Sequence, residues 1–181
     1  NNLRGFAFLS KIATIGYVVP GAIIGIGIIS SSQSIVDFFA HTFQLKVGYL
    51  FYGGSMVLVY AYVFRFLAVA YNPLEANSLK LGKNLAESAY LLGQKRFTTL
   101  VNIELPLLKT TVISSFLLVF IDTLKELPLT LILKPYELNT LAVTAYAYAD
   151  DERVAEAALP ALMIIGAVGL VLFFVNYKWK K

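Results

Sequence analysis

Three ionisable residues fall within one short apolar stretch, Phe120-Ile121-Asp122-Thr123-Leu124-Lys125-Glu126-Leu127-Pro128. In hydrocarbon each charge costs roughly 2.5 to 3.5 kcal/mol on insertion scales, so such groups must be paired or face a wet pathway. On a helix, Asp122 and Lys125 are three apart and can pair, while Glu126 lies one turn from Asp122. One acid is then left without a partner in its own helix. Two kinds of chemistry fit: an ion network that fixes helix packing, or the wall of a translocation pathway. In the second case the acids are hard oxygen donors suited to a hard, highly charged cation. Pro128 removes the backbone bond to Leu124 and is expected to kink the helix there.

Other reactive groups are scarce. There is no cysteine, which excludes disulfides and thiolate metal sites, and His41 is the one histidine, placed in a short connection. Gly82-Lys83 is followed by Asn84 and has no glycine at the required upstream position, so no phosphate-binding loop is present. Serine or cysteine nucleophile signatures are absent. With no cysteine and one histidine, metal chemistry is limited, and no metal or cofactor is expected on this chain.

The elements that would position the charges are membrane helices. Hydrophobic residues make up 58% of the 181 positions and charged ones 14%, too little polar surface to close a water-facing shell. The mean hydropathy is +0.71. Four apolar stretches, near 12–30, 48–70, 109–133 and 158–177, can each cross a hydrocarbon core that takes about 20 helical residues. The expected fold is an all-α polytopic transmembrane bundle of four spans forming a single domain over 1–181. Pro20 with Gly21 and Gly25 predicts a bend and close helix approach in the first span. Asn1 opens the chain, and its earliest methionine, Met56, lies inside an apolar run. The chain is therefore expected to be the C-terminal part of a longer one.

Positive residues give the orientation. Arg4 and Lys11 precede span one, Lys80, Lys83, Lys95, Arg96 and Lys109 crowd the 71–109 connection, and Lys178, Lys180 and Lys181 end the chain. Only Lys46 lies in the 31–47 connection, and the 134–157 connection carries Glu137, Asp150, Asp151, Glu152 and Glu156 against Lys134 and Arg153. Both termini and the middle loop are expected on the cytoplasmic side of the membrane. The net charge of +4 is then a topology signal and not a nucleic-acid one.

The middle loop, 72–106, has its own punctuation. Asn72-Pro73 predicts a helix start, since proline is tolerated at the first helical position. A second helix is expected over Asn84–Leu92, stopped by Gly93 in a left-handed cap, with Leu85, Ala89 and Leu92 on one face. A third is expected over Phe97–Asn102, with Pro106 ahead of span three. Glu87-Ser88-Ala89, three residues, Gly93, nine residues, Ile103, one residue and Leu105-Pro106 resembles the EAA loop of ATP-binding cassette importer permeases. Ser88 stands where that family usually has a second alanine.

The resemblance implies a coupling helix seated in a cleft of a cytoplasmic ATPase subunit, which would use ATP and Mg, and no catalysis by the permease. It also implies a second permease half, fused or separate, and an extracytoplasmic solute-binding protein. Tyr136, Tyr146, Tyr148, Asp150, Asp151 and Glu152 in the acidic connection are candidate contacts for that protein, although the acids would also favour the positive end of span four. Glu156-Ala157-Ala158 repeats the triplet without the glycine spacing and is set aside. Leu124 to Leu131, together with Thr140-Leu141, Tyr146-Ala147-Tyr148 and Asp151-Glu152, is similar to the iron(III) branch of these permeases; the thiamine and phosphonate branches look alike here. The competing expectation from another class is a gradient-driven transporter or channel subunit using Asp122, Lys125 and Glu126 as a proton or cation relay.

Overall fold

The computed structural model describes residues 14, 16–44, 55–81 and 83–179, and every regular element among them is helical. The expected starts of spans one and two, with Arg4, Lys11, Lys46, Lys180 and Lys181, lie outside the described residues. Helix α1 is Gly21–Phe43. Pro20 begins it from an extended backbone, φ −55° and ψ 137°, and its carbonyl accepts from Ile23 N at 3.0 Å. The helix runs well past the expected end at residue 30. Its serine run does not stop it, because a hydroxyl can bond back to the preceding turn, as Ser34 Oγ does to the Ser30 carbonyl at 3.4 Å. His41 therefore sits in the last turn of α1 and not in a loop.

Helix α2, Ser55–Leu81, has 27 residues. At 1.5 Å per residue it is about 40 Å long, more than the hydrocarbon core, so one end must project into water. Pro73 lies inside α2 and no helix starts at Asn72, contrary to the sequence expectation. Asn77 Nδ2 donates to the Pro73 carbonyl at 3.0 Å, and Tyr71 OH donates to Glu75 Oε1 at 3.2 Å, so side chains stitch the turns on either side of the missing amide bond.

The connection after α2 holds α3 (Lys83–Leu91), α4 (Arg96–Thr99), a π-helical turn at Leu100–Glu104 and α5 (Leu105–Leu107). The third expected loop helix is thus a short α turn running into a π turn. Helix α6, Lys109–Leu124, leaves this connection at 73° to Arg96–Leu107. The expected third span over 109–133 is not one kinked helix. It stops at Leu124, breaks at Lys125 to Leu127, and restarts as α7, Pro128–Leu133. Proline at the first helical position starts a helix more readily than it bends one.

Helix α8, Leu141–Asp150, occupies what composition marked as a connection; Thr140 Oγ1 caps it by accepting from Val143 N at 3.3 Å. Helix α9, Val154–Trp179, contains the fourth expected span and packs along α8. Among the described residues, Gly21–Phe43, Ser55–Leu81 and Val154–Val175 are long and apolar enough to cross a membrane, and the bent pair at Leu108 raises the number to four. The buried core is small: Ile24 of α1, Ala61 of α2 and Leu129 of α7, flanked by Val19, Ile28, Tyr62, Phe64 and Leu133. Most other large apolar side chains face outward, as a bilayer solvent permits and water does not.

Candidate functional site

Two places carry the polar chemistry, the 72–106 connection and the break between α6 and α7. In the first, helix α3 ends in a double hydrogen bond: Gly93 N donates to the Tyr90 carbonyl at 2.9 Å and Gln94 N to the Ala89 carbonyl at 3.0 Å. Gly93 has φ +80°, so the left-handed stop expected from the sequence is present. This pairing satisfies carbonyls that the helix end leaves open. Ala89 is buried, whereas Glu87 and Ser88 are exposed. Leu85 is half-buried and lines a hollow of about 290 Å³ with Ser78, Leu81, Ala86, Glu104 and Leu108.

Leu92 does not share the face of Leu85 and Ala89. Helix α3 stops before it, and Leu91 and Leu92 project outward, 89% and 83% exposed, with Phe97 exposed nearby. Ile103 is half-buried in the π turn, and Leu105 and Pro106 lie just ahead of the bend at Leu108. The connection thus offers an apolar tip and is continuous at its two ends with α2 and α6.

At the second place the Lys125 Nζ to Asp122 Oδ1 ion pair forms at 2.9 Å, as the spacing predicts. Lys125 is the open side of that pair, its side chain 63% exposed. Glu126 is different: it is 7% exposed and its partner comes from α2. Arg65 Nε donates to Glu126 Oε2 at 3.0 Å, and Arg65 Nη1 donates to the Val19 carbonyl at 2.8 Å. Leu129 N donates to Glu126 Oε1 at 3.2 Å, closing the open first turn of α7. Thr130 Oγ1 donates to the Glu126 carbonyl at 2.8 Å, so the contact of Tyr62 OH with Thr130 Oγ1 must have Tyr62 as its donor.

Arg65 is the partner of Glu126 that sequence reasoning missed. A single charge in the 48–70 stretch was the signal, because an isolated intramembrane arginine demands a partner. Gly21 makes room for the cluster: a Cβ there would lie 2.7 Å from Glu126 Oε1 and 3.2 Å from Arg65 Cζ.

The candidate contact residues of the acidic connection are only partly brought together. Tyr146, Tyr148 and Asp150 lie on α8, with Asp151 at its C-terminal cap and Glu152 in the turn at φ 60°. Tyr136, 97% exposed, sits before the other end of α8, which is roughly 14 Å long. The acids therefore follow α8 as well as precede α9. Tyr148 lies under the Arg153 guanidinium at 4.8 Å, and Arg153 pairs with Glu156. The hydrogen bond to Glu156 pushes the Arg153 pKa further above its ordinary value. Among the described residues no group of three His, Cys, Asp or Glu could hold a metal ion.

Comparison with known proteins agrees with this architecture. The chain is 25% identical over 174 residues to the Fe(3+)-transport system permease protein FbpB 2 of Haemophilus influenzae, covering 96% of this chain and 32% of that protein. It is 26% identical over 178 residues to the ferric transport system permease protein FbpB of Actinobacillus pleuropneumoniae, covering 96% of this chain and 26% of that one. The chain thus spans a third or less of the length of these relatives. No solved structure matches it. Residues 2–178 match the family described as binding-protein-dependent transport system inner membrane component, and the chain, with its apolar helices and its glycine-capped loop, belongs to that family.

Proposed function

We propose that this chain forms part of the translocation pathway of an ATP-driven importer for iron(III), and that its 72–106 connection receives a cytoplasmic ATPase. The observation that carries the proposal is the loop. A helix ended by Gly93 presents Leu91, Leu92 and Phe97 outward while its flanks run directly into α2 and α6. Glu87, Ser88, Ala89, Gly93, Ile103, Leu105 and Pro106 build that unit. A partner gripping the apolar tip pulls on both helices at once, which is how closure of an ATPase dimer would swing the membrane helices between inward and outward states.

In this proposal both termini and the loop lie in the cytoplasm, ATP and Mg are used by the ATPase, and the chain itself catalyses nothing. A second permease half, fused or separate, completes the pathway. A solute-binding protein delivers cargo to the side carrying Tyr136, Tyr146, Tyr148, Asp150, Asp151 and Glu152. Asp122 and Lys125, on the open side of the α6–α7 break, line the route, with Glu126 behind them. Iron(III) as cargo is supported by the names of the two relatives and by the oxygen-donor character of the acids.

The test uses the full-length protein purified with its neighbours and reconstituted in vesicles. An ATPase should co-purify, and labelled iron(III) should enter only when ATP is supplied. Uptake driven by an ion gradient without ATP would overturn the proposal, and uptake of thiamine or a phosphonate in place of iron would overturn the cargo alone.

A further inference from the structure

The chain is interrupted at two prolines inside its apolar core, and each interruption frees a backbone group. Ahead of Pro20 the Val19 carbonyl is left out of α1, since Ile23 N turns to the Pro20 carbonyl instead. Ahead of Pro128 the Leu129 N–H opens α7 with no earlier helical carbonyl to bond. In hydrocarbon neither group can turn to water. One ion pair answers both. Arg65 donates one nitrogen to the Val19 carbonyl and another to Glu126, and Glu126 gives its second oxygen to Leu129 N.

We propose that Arg65 is a positioning residue for transport, which through Glu126 binds the break at Pro20 and the break at Pro128 to α2 so that the three move as one body. The inference rests on the transport function proposed above, and it assigns a role to a residue outside the loop and outside the Asp122–Lys125 pair. Buried charge alone does not require this arrangement. A pair that merely neutralised Glu126 would need no contact with Val19 and none with Leu129. Gly21 shows how little slack the arrangement has, because a methyl group there would enter the space of both Glu126 Oε1 and the Arg65 guanidinium. Arg65 sits in the middle of α2, whose far end leads into the ATPase-facing connection, so the body it organises lies on the path of any pull from that connection.

These 181 residues hold no cysteine, and once any cysteine elsewhere in the full-length complex is replaced, spin labels can be attached at Ile23→Cys on α1 and Leu131→Cys on α7. The separation of the two labels should be a single narrow distribution, equal with and without nucleotide. In Gly21→Ala, which keeps every charge, and in Arg65→Leu it should broaden. In Gly21→Ala the amount of assembled complex should stay normal, and in both variants the ions moved per ATP hydrolysed by the complex that does assemble should fall about tenfold, the scale on which mutations away from a site alter coupling. Arg65→Lys, which keeps a donor, should recover part of the loss. The exchange Arg65→Glu with Glu126→Arg should not, since it places an acceptor against the Val19 carbonyl and a donor against Leu129 N.

Full recovery by the exchange, or a narrow distribution in Gly21→Ala, overturns the proposal. If Arg65→Leu fails to assemble, Gly21→Ala and the exchange still decide. Label separations are read without transport, so a wild-type complex that moves nothing on ATP overturns the proposed function and with it the transport role of Arg65, whereas broadened separations beside normal ATP-driven uptake in the wild type bear on Arg65 alone.

Discussion

Gly25 and Ile132 meet so closely that a Cβ on Gly25 would lie 2.9 Å from Ile132 Cγ2 and 3.1 Å from its Cβ. The contact at Gly21 lies four residues earlier on α1, one turn, so that Gly25 seats α1 on α7 and Gly21 seats it on the Arg65–Glu126 pair. Small residues at this spacing let membrane helices approach. The contact sets the position of α7, and hence of the Glu126 carboxylate that precedes it.

Gly25→Ala should therefore destabilise the protein by about 1 to 3 kcal/mol, the usual cost of overpacking a fitted site. Adding Ile132→Leu should return part of that loss, because leucine lacks the Cγ2 methyl that the new Cβ would meet at 2.9 Å. Thermal unfolding of the purified protein in detergent checks both; a double variant no better than the single one would show that the clash is absorbed elsewhere.

Gly93→Val should cost roughly 1 to 2 kcal/mol locally, because φ +80° is a region that residues with a Cβ rarely adopt. Nothing lies within 4 Å of a Cβ at this position, so the effect is conformational and not steric. Insertion into the membrane should be unchanged while ATPase activity coupled to transport drops, and Gly93→Asn should be milder. Unchanged coupling in Gly93→Val would remove the docking role from this loop.

Removing one partner of the buried Arg65–Glu126 pair should destabilise by about 3 to 5 kcal/mol, since the other charge is stranded. Glu126→Gln keeps an oxygen for Leu129 N but strands Arg65; Arg65→Leu strands Glu126. Combining Arg65→Leu with Glu126→Leu should cost clearly less than the sum of the single changes. Denaturant unfolding of the four proteins gives the coupling, and simple additivity would contradict it.

Lys125→Met should destabilise less than Arg65→Leu, because Lys125 is 63% exposed, although Asp122, 17% exposed, then loses its partner. If the pair lines the route, uptake in vesicles should nevertheless slow, and more so in Asp122→Asn. Normal uptake in both variants would assign the pair to packing.

The class of the protein was legible in composition, since long apolar runs leave a bilayer as the solvent that suits them. Gly93 was legible too, because a glycine after a helical run with open carbonyls has few other uses. Pro73 and Pro128 were misjudged for one physical reason. Local propensity scores a residue alone, whereas a proline's missing bond can be offset by neighbouring side chains, and a proline can open a helix as readily as bend one.

The sequence by itself determined that the chain crosses a membrane, that the 72–106 connection carries a spaced loop, and that Asp122 and Lys125 could pair, because each of these depends on near neighbours or on summed hydropathy. Only the tertiary structure decided where Glu126 finds its counter-charge. Arg65 is 61 positions away, and what joins them is the meeting of α2 with two helix breaks. No periodicity encodes that meeting, because the backbone groups that hold it become available only once Pro20 and Pro128 have interrupted their helices side by side.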